Sequence, residues 1–247
     1  MRTIRKGSKG EAVAAWQSFL RGQGYPIVAD GDFGPATHEA TCDYQTFKGL
    51  MPDGIVGPKT YEVAGIGRDD DFPPRPAGLA PLTSAERERI FGKFSYVPAG
   101  VPVNTEAIKI TDDWARENIV KVNVQQLRPV SGAPTSGGIY FHRRAERQLQ
   151  ELFRAWSRAG KASLILSWGG SWVPRFVRGS RTTLSNHSWG TAFDINVQWN
   201  PLGTAGAPRG AKGSVRELVE IAVDHGFYWG GWFSRRDPMH FEVCEVK

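Results

Sequence analysis

The chain has 247 residues, of which 40% are hydrophobic and 23% are charged, and its formal net charge is +6. This is an ordinary composition for a globular protein, and no apolar run reaches the roughly 20 residues that a membrane-spanning helix needs, so no stable membrane association is expected. The basic residues are scattered and no aromatic-basic motif accompanies them, which argues against nucleic acid as a partner.

The N-terminal stretch MRTIRKGSKGEAV is basic but contains no apolar segment of the kind found in secretory signals. We therefore expect synthesis in the cytoplasm, with any transfer to another compartment depending on a second factor. The two cysteines, Cys42 and Cys244, lie far apart in the sequence. A disulfide framework is not expected from this spacing.

An internal repeat occupies the first quarter of the chain. Residues 30–37 read DGDFGPAT and residues 53–60 read DGIVGPKT. Each copy predicts an Asp-Gly turn followed by a helix that starts at a Gly-Pro step. An aromatic–glutamine pair precedes each copy, as Trp16-Gln17 and Tyr44-Gln45.

Upstream of the first copy, apolar side chains recur at helical spacing. Such a pattern predicts an amphipathic helix that faces a core. Together with the repeat it predicts a small, pseudo-symmetric three-helix domain. The predicted core side chains of the first helix are Val13, Trp16, Phe19 and Leu20.

This first part resembles the peptidoglycan-binding domain family. The segments that carry the resemblance are RKGSKGEAV, the Trp16-Gln17 helix, GDFGPAT, Tyr44-Gln45 and PDGIVGPKT. The resemblance implies an all-α domain over residues 1–67, with peptidoglycan as its partner. The alternative is that the glycines only form turns in a small bundle.

A spacer follows the repeat. Residues 68–76 are first acidic and then proline-rich, which is typical of an extended linker. Ser84, followed by Glu86 and an Arg/Glu-rich stretch, predicts a short capped helix. We therefore expect a linker with a short helix over residues 68–94 and a second domain over residues 95–247.

The second domain mixes helical and strand patterns. A helix is predicted over residues 143–159 and another over residues 214–225, each ended by glycine. The apolar run ASLILSW (162–168) predicts a buried strand, and the alternation in MHFEVCEV (239–246) predicts a terminal strand. These elements indicate an α+β domain, for which we expect a central antiparallel sheet.

Three of the five histidines are interpreted as structural or solvated, because lone histidines are common in such places. The other two, His187 and His240, each have an acidic companion nearby in the sequence, Asp194 and Asp237. Two imidazoles and a carboxylate can hold zinc with a fourth position open, and a further acid can accept a proton from water. The histidines read as structural are His38, His142 and His225.

The segments SNHSWGTAFDIN (185–196) and DPMHFE (237–242) resemble a family of zinc peptidases. That family includes D-Ala-D-Ala carboxypeptidases and phage L-Ala-D-Glu endopeptidases. The resemblance implies Zn²⁺ as cofactor, with His187, Asp194 and His240 as its ligands and Asp237 as the catalytic base. The alternative is a hydrogen-bonded His187–Asp194 pair with His240 as an ordinary strand residue.

The resemblance also implies an arginine upstream of the first zinc ligand that binds a substrate carbonyl or carboxylate. Arg175 is preferred as this catalytic arginine, while Arg178 is a second candidate for substrate binding or a loop-stabilising residue. Ser185 is expected to help bind substrate or support the site. Glu242 shares a strand face with His240, so it forms either a hydrogen bond behind the metal ligand or a surface salt bridge.

The predicted function is hydrolysis of the L-Ala-D-Glu bond in the peptidoglycan stem peptide. The modular plan resembles that of phage endolysins, which implies release to the cell wall by a holin or by lysis. The alternatives are a D-Ala-D-Ala carboxypeptidase with the same zinc site and a non-catalytic wall-binding protein with a structural zinc. A muramidase needs two carboxylates at a set separation, and no such pair stands out. We expect a monomer.

Overall fold

The computed structural model describes residues 3–64, 66, 72–100 and 104–247. They form two compact units, one helical and one α+β, which confirms the predicted fold class. The predicted boundaries after residues 67 and 94 stay a prediction, and residues 68–71 of the expected linker lie outside the described residues. The first unit comprises Met1–Pro74, Asn196–Glu217 and Gly230–Met239, and the second comprises Arg75–Ile195, Leu218–Trp229 and His240–Lys247.

Three helices dominate the first unit: α1 (Glu11–Gly22), α2 (Pro35–Phe47) and α3 (Pro58–Val63). Helices α2 and α3 each begin at the proline of a repeat, as the Gly-Pro steps predict. Proline suits this position because the first helical N–H needs no partner within the helix. Val13, Trp16 and Leu20 are buried and Phe19 is partly buried, so the predicted core face of α1 is confirmed.

Each repeat closes its Asp-Gly turn around one buried glutamine. The Gln17 side chain donates to Asp30 Oδ1, Asp32 O and Thr37 Oγ1 at 2.8–2.9 Å, and its Oε1 accepts from Gly31 N–H. The Gln45 side chain makes the same set with Asp53 Oδ1, Ile55 O, Thr60 Oγ1 and Gly54 N–H. The repeat in sequence is therefore a repeat of one hydrogen-bonding pattern, and Gly31 and Gly54 both adopt positive φ, which favours glycine.

Residues distant in sequence complete the first unit. Trp199 donates its indole N–H to Gly22 O, at 2.9 Å, at the end of α1. A Cβ atom at residue 22 would lie 2.7 Å from the Trp199 ring, so the close packing requires glycine there. The stretch after Asn196 thus packs on the N-terminal helix, although the sequence pattern places it in the second domain.

The second unit is built around a four-stranded sheet with the strand order β5-β6-β8-β7, in which all neighbouring strands are antiparallel. Two antiparallel strand pairs, β1-β2 and β3-β4, lie beside it in the same unit. The strands are β1 (Tyr96–Pro98), β2 (Ile108–Ile110), β3 (Ile119–Asn123), β4 (Gly138–His142), β5 (Trp168–Gly170), β6 (Ala192–Ile195), β7 (Phe227–Trp229) and β8 (His240–Val243). The helices are α4 (Ser84–Phe91), α5 (Trp114–Asn118), α6 (Glu146–Arg158) and α7 (Val219–Asp224).

Helix α6 confirms the helix predicted over residues 143–159. The first three residues of the predicted range, Arg143–Ala145, form a 3₁₀ turn that precedes α6. Its apolar face is fully buried and packs on aromatic residues of the sheet. Phe193 of β6 and Phe241 of β8 stack with their ring centroids 5.5 Å apart, and Trp156 of α6 meets Phe241 edge-on. The core of the unit therefore lies behind strands β6 and β8. The buried residues of the α6 face are Leu149, Leu152, Phe153 and Trp156.

Two predicted elements have different bounds in the structure. The run 162–168 begins with a 3₁₀ turn over Ala162–Leu164, and only Ile165 in it is buried. Strand β5 starts at Trp168, where the Ser131 carbonyl accepts its N–H. A partly exposed run gains too little from burial to form a core strand, so the apolar composition misled the prediction.

The helix predicted over residues 214–225 is shortened to α7. Ser214 Oγ donates to Glu217 Oε2 at 2.6 Å, and Gly210 N–H donates to Glu217 Oε1. These local hydrogen bonds compete with helix formation in the first turn. The four apolar residues that suggested the helix are nevertheless all buried: Val215, Leu218, Val219 and Ala222.

Candidate metal centre

Three side chains predicted as metal ligands meet in the second unit. His187 lies in a 3₁₀ turn (Asn186–Trp189) just before β6, Asp194 lies on β6 and His240 begins β8. Asp194 and His240 are directly paired across the two strands. Among the residues that the structure describes, these three form a group of His, Cys, Asp or Glu side chains close enough to share one metal ion.

The turn that carries His187 is fixed at both ends. Ser185 caps its start, where Ser185 Oγ accepts the His187 N–H at 3.4 Å. Gly190 ends it with φ +64°, and a Cβ there would lie 2.8 Å from Ile119 Cδ1. Ser185 is thus placed beside the predicted ligand, where its hydroxyl holds the backbone; its predicted role toward substrate stays a prediction.

The three ligand atoms form a small triangle. His187 Nε2 lies 3.2 Å from His240 Nδ1 and 3.3 Å from Asp194 Oδ1. Asp194 Oδ1 lies 3.0 Å from His240 Nδ1. Zinc with bonds near 2.0–2.1 Å holds tetrahedral ligands about 3.3 Å apart, so this spacing fits a zinc ion.

Hydrogen bonds behind the ligands determine which ring nitrogens face the triangle. His187 Nδ1 lies 2.6 Å from Ser171 O, and His240 Nε2 lies 3.0 Å from Glu242 Oε2. A carbonyl or carboxylate oxygen only accepts, so these two nitrogens carry the protons. His187 Nε2 and His240 Nδ1 then face Asp194 Oδ1, and each can offer a lone pair to a metal ion when it carries no proton.

The electrostatics of the group call for a cation. Burial alone would raise the pKa of Asp194, but the neighbouring imidazoles, His187 foremost, hold that pKa well below its ordinary value. Burial alone would lower the pKa of His240, but its hydrogen bonds to Asp194 and Glu242 raise it to about 10. Without metal, a proton on His240 therefore offsets part of the negative charge of Asp194 and Glu242, and a metal ion bound here would displace that proton.

Glu242 is the residue whose role the sequence left open between two alternatives. The side chain is 5% exposed and hydrogen-bonded to His240, which excludes the surface salt bridge. An outer carboxylate of this kind orients a ligating imidazole and raises its basicity. The Ser171 carbonyl does the same for His187, and sequence could not reveal it because it is a backbone group.

The two candidate arginines differ in their surroundings. The Arg175 backbone pairs with the segment that leads into the His187 turn: Ser185 N–H donates to Arg175 O at 3.0 Å, and Arg175 N–H donates to Ser188 Oγ. Arg178 is exposed. The hydrogen bond from Gly179 N–H is the main cause that lowers the pKa of Glu106, and the charge of Arg178 adds to this effect. Arg178 therefore has the surroundings of a loop-stabilising residue.

Asp237, the predicted base, is three residues from His240 in the chain and belongs to the first compact unit. There its N–H donates to Gly230 O at 2.9 Å. Its role as base stays a prediction. By contrast, His142 Nε2–H donates to Phe91 O and His225 Nδ1–H donates to Ile221 O, which fits the structural interpretation of both histidines.

Comparison with known proteins bears out the resemblance predicted for both parts of the chain. Residues 9–63 match the family described as a peptidoglycan binding domain. Residues 178–243 match the family described as D-alanyl-D-alanine carboxypeptidase. The second match includes all three candidate ligands, Asp237 and Glu242, and neither match includes Arg175.

Two curated relatives share part of the chain. The zinc D-Ala-D-Ala carboxypeptidase of Streptomyces albus G is 38% identical over 102 residues, which cover 39% of this chain and 39% of that protein. An uncharacterized protein of Kitasatospora aureofaciens is 42% identical over 64 residues, or 24% of this chain and 51% of that protein. The chain thus spans about two fifths and about half of these relatives.

Solved structures also overlap with part of the chain. A peptidoglycan-binding protein from Clostridioides difficile is 41% identical, covering 26% of this chain and 40% of that one with a TM-score of 0.26. An endolysin of Burkholderia phage AP3 is 34% identical, covering 36% of this chain and 31% of that one, also with a TM-score of 0.26.

Proposed function

We propose that this chain, which joins a segment matching the peptidoglycan-binding family to one matching the D-alanyl-D-alanine carboxypeptidase family, is a zinc peptidase of the cell wall. Its substrate is a peptide bond in the stem peptide of peptidoglycan. The observation that carries this proposal is the triangle of potential ligand atoms formed by His187, Asp194 and His240.

The chemistry of the triangle supports a catalytic ion. Two nitrogens and one carboxylate oxygen leave the fourth position of a tetrahedral zinc site open, as in zinc hydrolases. When bound, zinc supplies a Lewis acid that lowers the pKa of water and polarises a carbonyl. A structural zinc usually has four protein ligands, so the three-ligand set argues against the non-catalytic alternative.

The chain's own residues supply the proton transfer and the positioning. Asp237 accepts the proton of the attacking water and delivers it to the amine that leaves, which is general acid–base catalysis by one carboxylate. Arg175 binds the carbonyl or carboxylate oxygen of the substrate with its planar guanidinium. Ser185 and Glu242 keep His187 and His240 in their orientations.

The helical repeat brings the peptidase to its polymer. Binding of the repeat to peptidoglycan raises the local concentration of stem peptides around the zinc site, which matters most on an insoluble substrate. The protein therefore acts on the cell wall. No helix among the described residues is long and apolar enough to cross a membrane.

Two bonds in the stem peptide are candidates. The terminal D-Ala-D-Ala bond is favoured by the carboxypeptidase match over residues 178–243 and by the relative from Streptomyces albus G. The L-Ala-D-Glu bond, predicted from the modular plan of the sequence, is the second candidate. Both use the same zinc chemistry, so the choice depends on the shape of the substrate pocket.

Mass spectrometry of the soluble products from purified peptidoglycan tests the proposal. We expect products that disappear with a chelator and return with zinc. Release of D-Ala alone identifies a carboxypeptidase, and stem peptides with a new N-terminal D-Glu identify the endopeptidase. New reducing sugars would identify a muramidase, and the absence of any zinc-dependent product would contradict the proposed function.

A further inference from the structure

We infer that Ser188 is a positioning residue for the substrate-binding arginine: its hydroxyl holds the backbone of Arg175 at a fixed place beside His187. The inference rests on the proposed function, which gives Arg175 its role toward the substrate. Ser188 lies within the segment that matches the carboxypeptidase family and Arg175 lies before it, so the family match does not contain this contact.

Ser188 directly follows the candidate ligand His187 and lies in the same 3₁₀ turn. The residue is fully buried, with 0% of its surface exposed. Its backbone N–H is used by the turn itself, since it donates to Ser185 O at 2.9 Å. Its backbone carbonyl accepts the Trp172 indole N–H at 3.3 Å. The hydroxyl is the group of Ser188 that contacts the backbone of the arginine.

The Ser188 hydroxyl binds both backbone groups of Arg175. It accepts the Arg175 N–H at 2.9 Å and donates its own proton to Arg175 O at 2.8 Å. Both distances are ordinary for hydrogen bonds, and a hydroxyl can donate and accept at the same time. One short side chain thus takes the place of the pair of backbone groups that a neighbouring strand would supply.

Further backbone contacts hold Arg175 from two sides. On one side, Ser185 N–H donates to Arg175 O at 3.0 Å. On the other side, Arg175 forms an antiparallel bridge with Ala107, and Phe176 N–H donates to Glu106 O at 2.8 Å. The backbone of the arginine is therefore fixed between the turn that carries the metal ligand and the segment that leads into β2.

The side chain of Arg175 extends from this fixed backbone and is half-buried. One of its terminal nitrogens donates to the carbonyl of the next residue, Phe176, at 3.2 Å. The place of the guanidinium relative to the metal centre therefore depends on where the backbone of residue 175 is held. Catalysis is sensitive to such placement, because a displacement of about 1 Å can cost about 10²-fold in rate.

Ser188→Ala removes both hydrogen bonds and takes away the acceptor of the Arg175 N–H. The arginine is then held less firmly, and its guanidinium meets the developing negative charge less well. We expect kcat on a soluble stem peptide to fall by about 10–100-fold. KM should change by less than about threefold, because the lost interaction acts in the transition state. Zinc content should stay native, since the His187 ring is held by Ser171 O.

A double-mutant cycle on the full-length, zinc-loaded protein tests the inference. Steady-state kcat and KM are measured for the native protein, Ser188→Ala, Arg175→Gln and the double variant. If Ser188 acts through Arg175, Ser188→Ala lowers kcat in the native background and has no further effect in the Arg175→Gln background. Equal losses in both backgrounds, or a native kcat in Ser188→Ala, would overturn the inference.

Controls separate positioning from the general loss of a buried hydroxyl. Ser214 is 2% exposed, and its hydroxyl likewise accepts a backbone N–H, that of Arg216, at 3.2 Å. Ser214→Ala should therefore keep the native kcat. Ser188→Cys keeps a weaker donor and acceptor and should lose less activity than Ser188→Ala. If Ser188→Ala fails to fold, the cycle is run with Ser188→Cys, whose smaller loss must also vanish in the Arg175→Gln background.

Hydrogen exchange of the Arg175 N–H gives a second measurement that does not depend on activity. This amide loses its acceptor in Ser188→Ala and should exchange faster there, whereas Ser214→Ala should leave its exchange unchanged. Unchanged exchange in Ser188→Ala would overturn the inference. A native protein without zinc-dependent turnover would contradict the proposed function itself. Zinc-dependent turnover with equal losses in both backgrounds would contradict only the role of Ser188.

Discussion

Asp194 and His240 face each other directly across the antiparallel pair of strands β6 and β8, with Asp194 Oδ1 3.0 Å from His240 Nδ1. The side-chain period of a strand is two, so a shift of one residue in either strand would turn one ligand to the opposite face. The register of the central sheet therefore positions two of the three candidate ligands, and the turn at His187 adds the third.

The first prediction concerns metal content. Replacing His187 or His240 with alanine should abolish stoichiometric zinc binding, because either change leaves two ligands for the ion. Elemental analysis of the purified variants measures this directly. His225→Ala, whose ring bonds to Ile221 O of its own helix, is the matched control and should retain zinc. Full zinc content in His187→Ala would exclude the proposed site.

Asp237 should be needed for turnover and not for zinc. Asp237→Asn removes the proton acceptor, and we expect activity on peptidoglycan to fall by about 10²–10⁴-fold with zinc content unchanged. Product release and zinc content are measured on the same preparation. The exposed carboxylate Asp224 provides the control Asp224→Asn, which should behave as the native protein. Normal turnover by zinc-loaded Asp237→Asn would refute the assignment of the base.

The two arginines should differ in their effect on catalysis. Removing a group that stabilises the developing charge costs about 10²–10³-fold in kcat, which is the loss expected for Arg175→Gln. Arg178 is at an exposed loop position. Arg178→Gln should therefore change kcat by less than about threefold, far less than Arg175→Gln. Steady-state kinetics on a soluble stem peptide distinguishes them. A larger loss in Arg178→Gln would reverse their roles.

Stability of the repeat should depend on its buried glutamines. Gln45→Ala leaves the buried partners of Gln45 unsatisfied, which should lower the free energy of unfolding by about 2 kcal/mol or more. Gln17→Ala should have a similar effect because its contacts are equivalent. Urea unfolding measures both, with the exposed Gln23→Ala as control. Similar midpoints for Gln45→Ala and Gln23→Ala would contradict this structural role.

The metal-free protein should lose stability in acid partly through His142. Burial, the largest influence, lowers the pKa of His142 to about 4, from an ordinary value of 6.5. His142 therefore binds a proton more tightly in the unfolded chain than in the folded protein. Its neutral, buried state contributes fully to the free energy of unfolding above pH 6.5, and this contribution is lost as pH falls toward about 4. A pKa shift of this size corresponds to a loss of roughly 3 kcal/mol in the free energy of unfolding.

His142→Gln keeps one donor and one acceptor without titrating in this range. Urea unfolding of the metal-free native protein and of this variant, repeated between pH 7 and pH 4, measures the two slopes. The variant should show a shallower decline of unfolding free energy with acid. Parallel declines in both proteins would show that His142 does not contribute.

The local parts of the fold were predictable from sequence. The repeated DG…GP pattern marks the starts of α2 and α3, and the apolar period of residues 146–158 marks α6, because turn chemistry and helical spacing act over a few residues. The sequence motifs that contain His187 and His240 could also be recognised, since their residue types and spacing indicate a metal site.

The sequence by itself therefore determined which residues could bind zinc, and that a repeat resembling peptidoglycan-binding domains accompanies them. Tertiary structure alone decided the rest: the packing of Trp199 on Gly22, the partial exposure of residues 162–168, the Ser171 carbonyl behind His187, and the burial of Glu242. Each of these depends on contacts between residues distant in the chain. The local spacing of residues does not indicate which distant part of the chain will cover a side chain and exclude water from it. Burial by such distant parts determines the hydrogen-bond partners and charge interactions of the covered side chains.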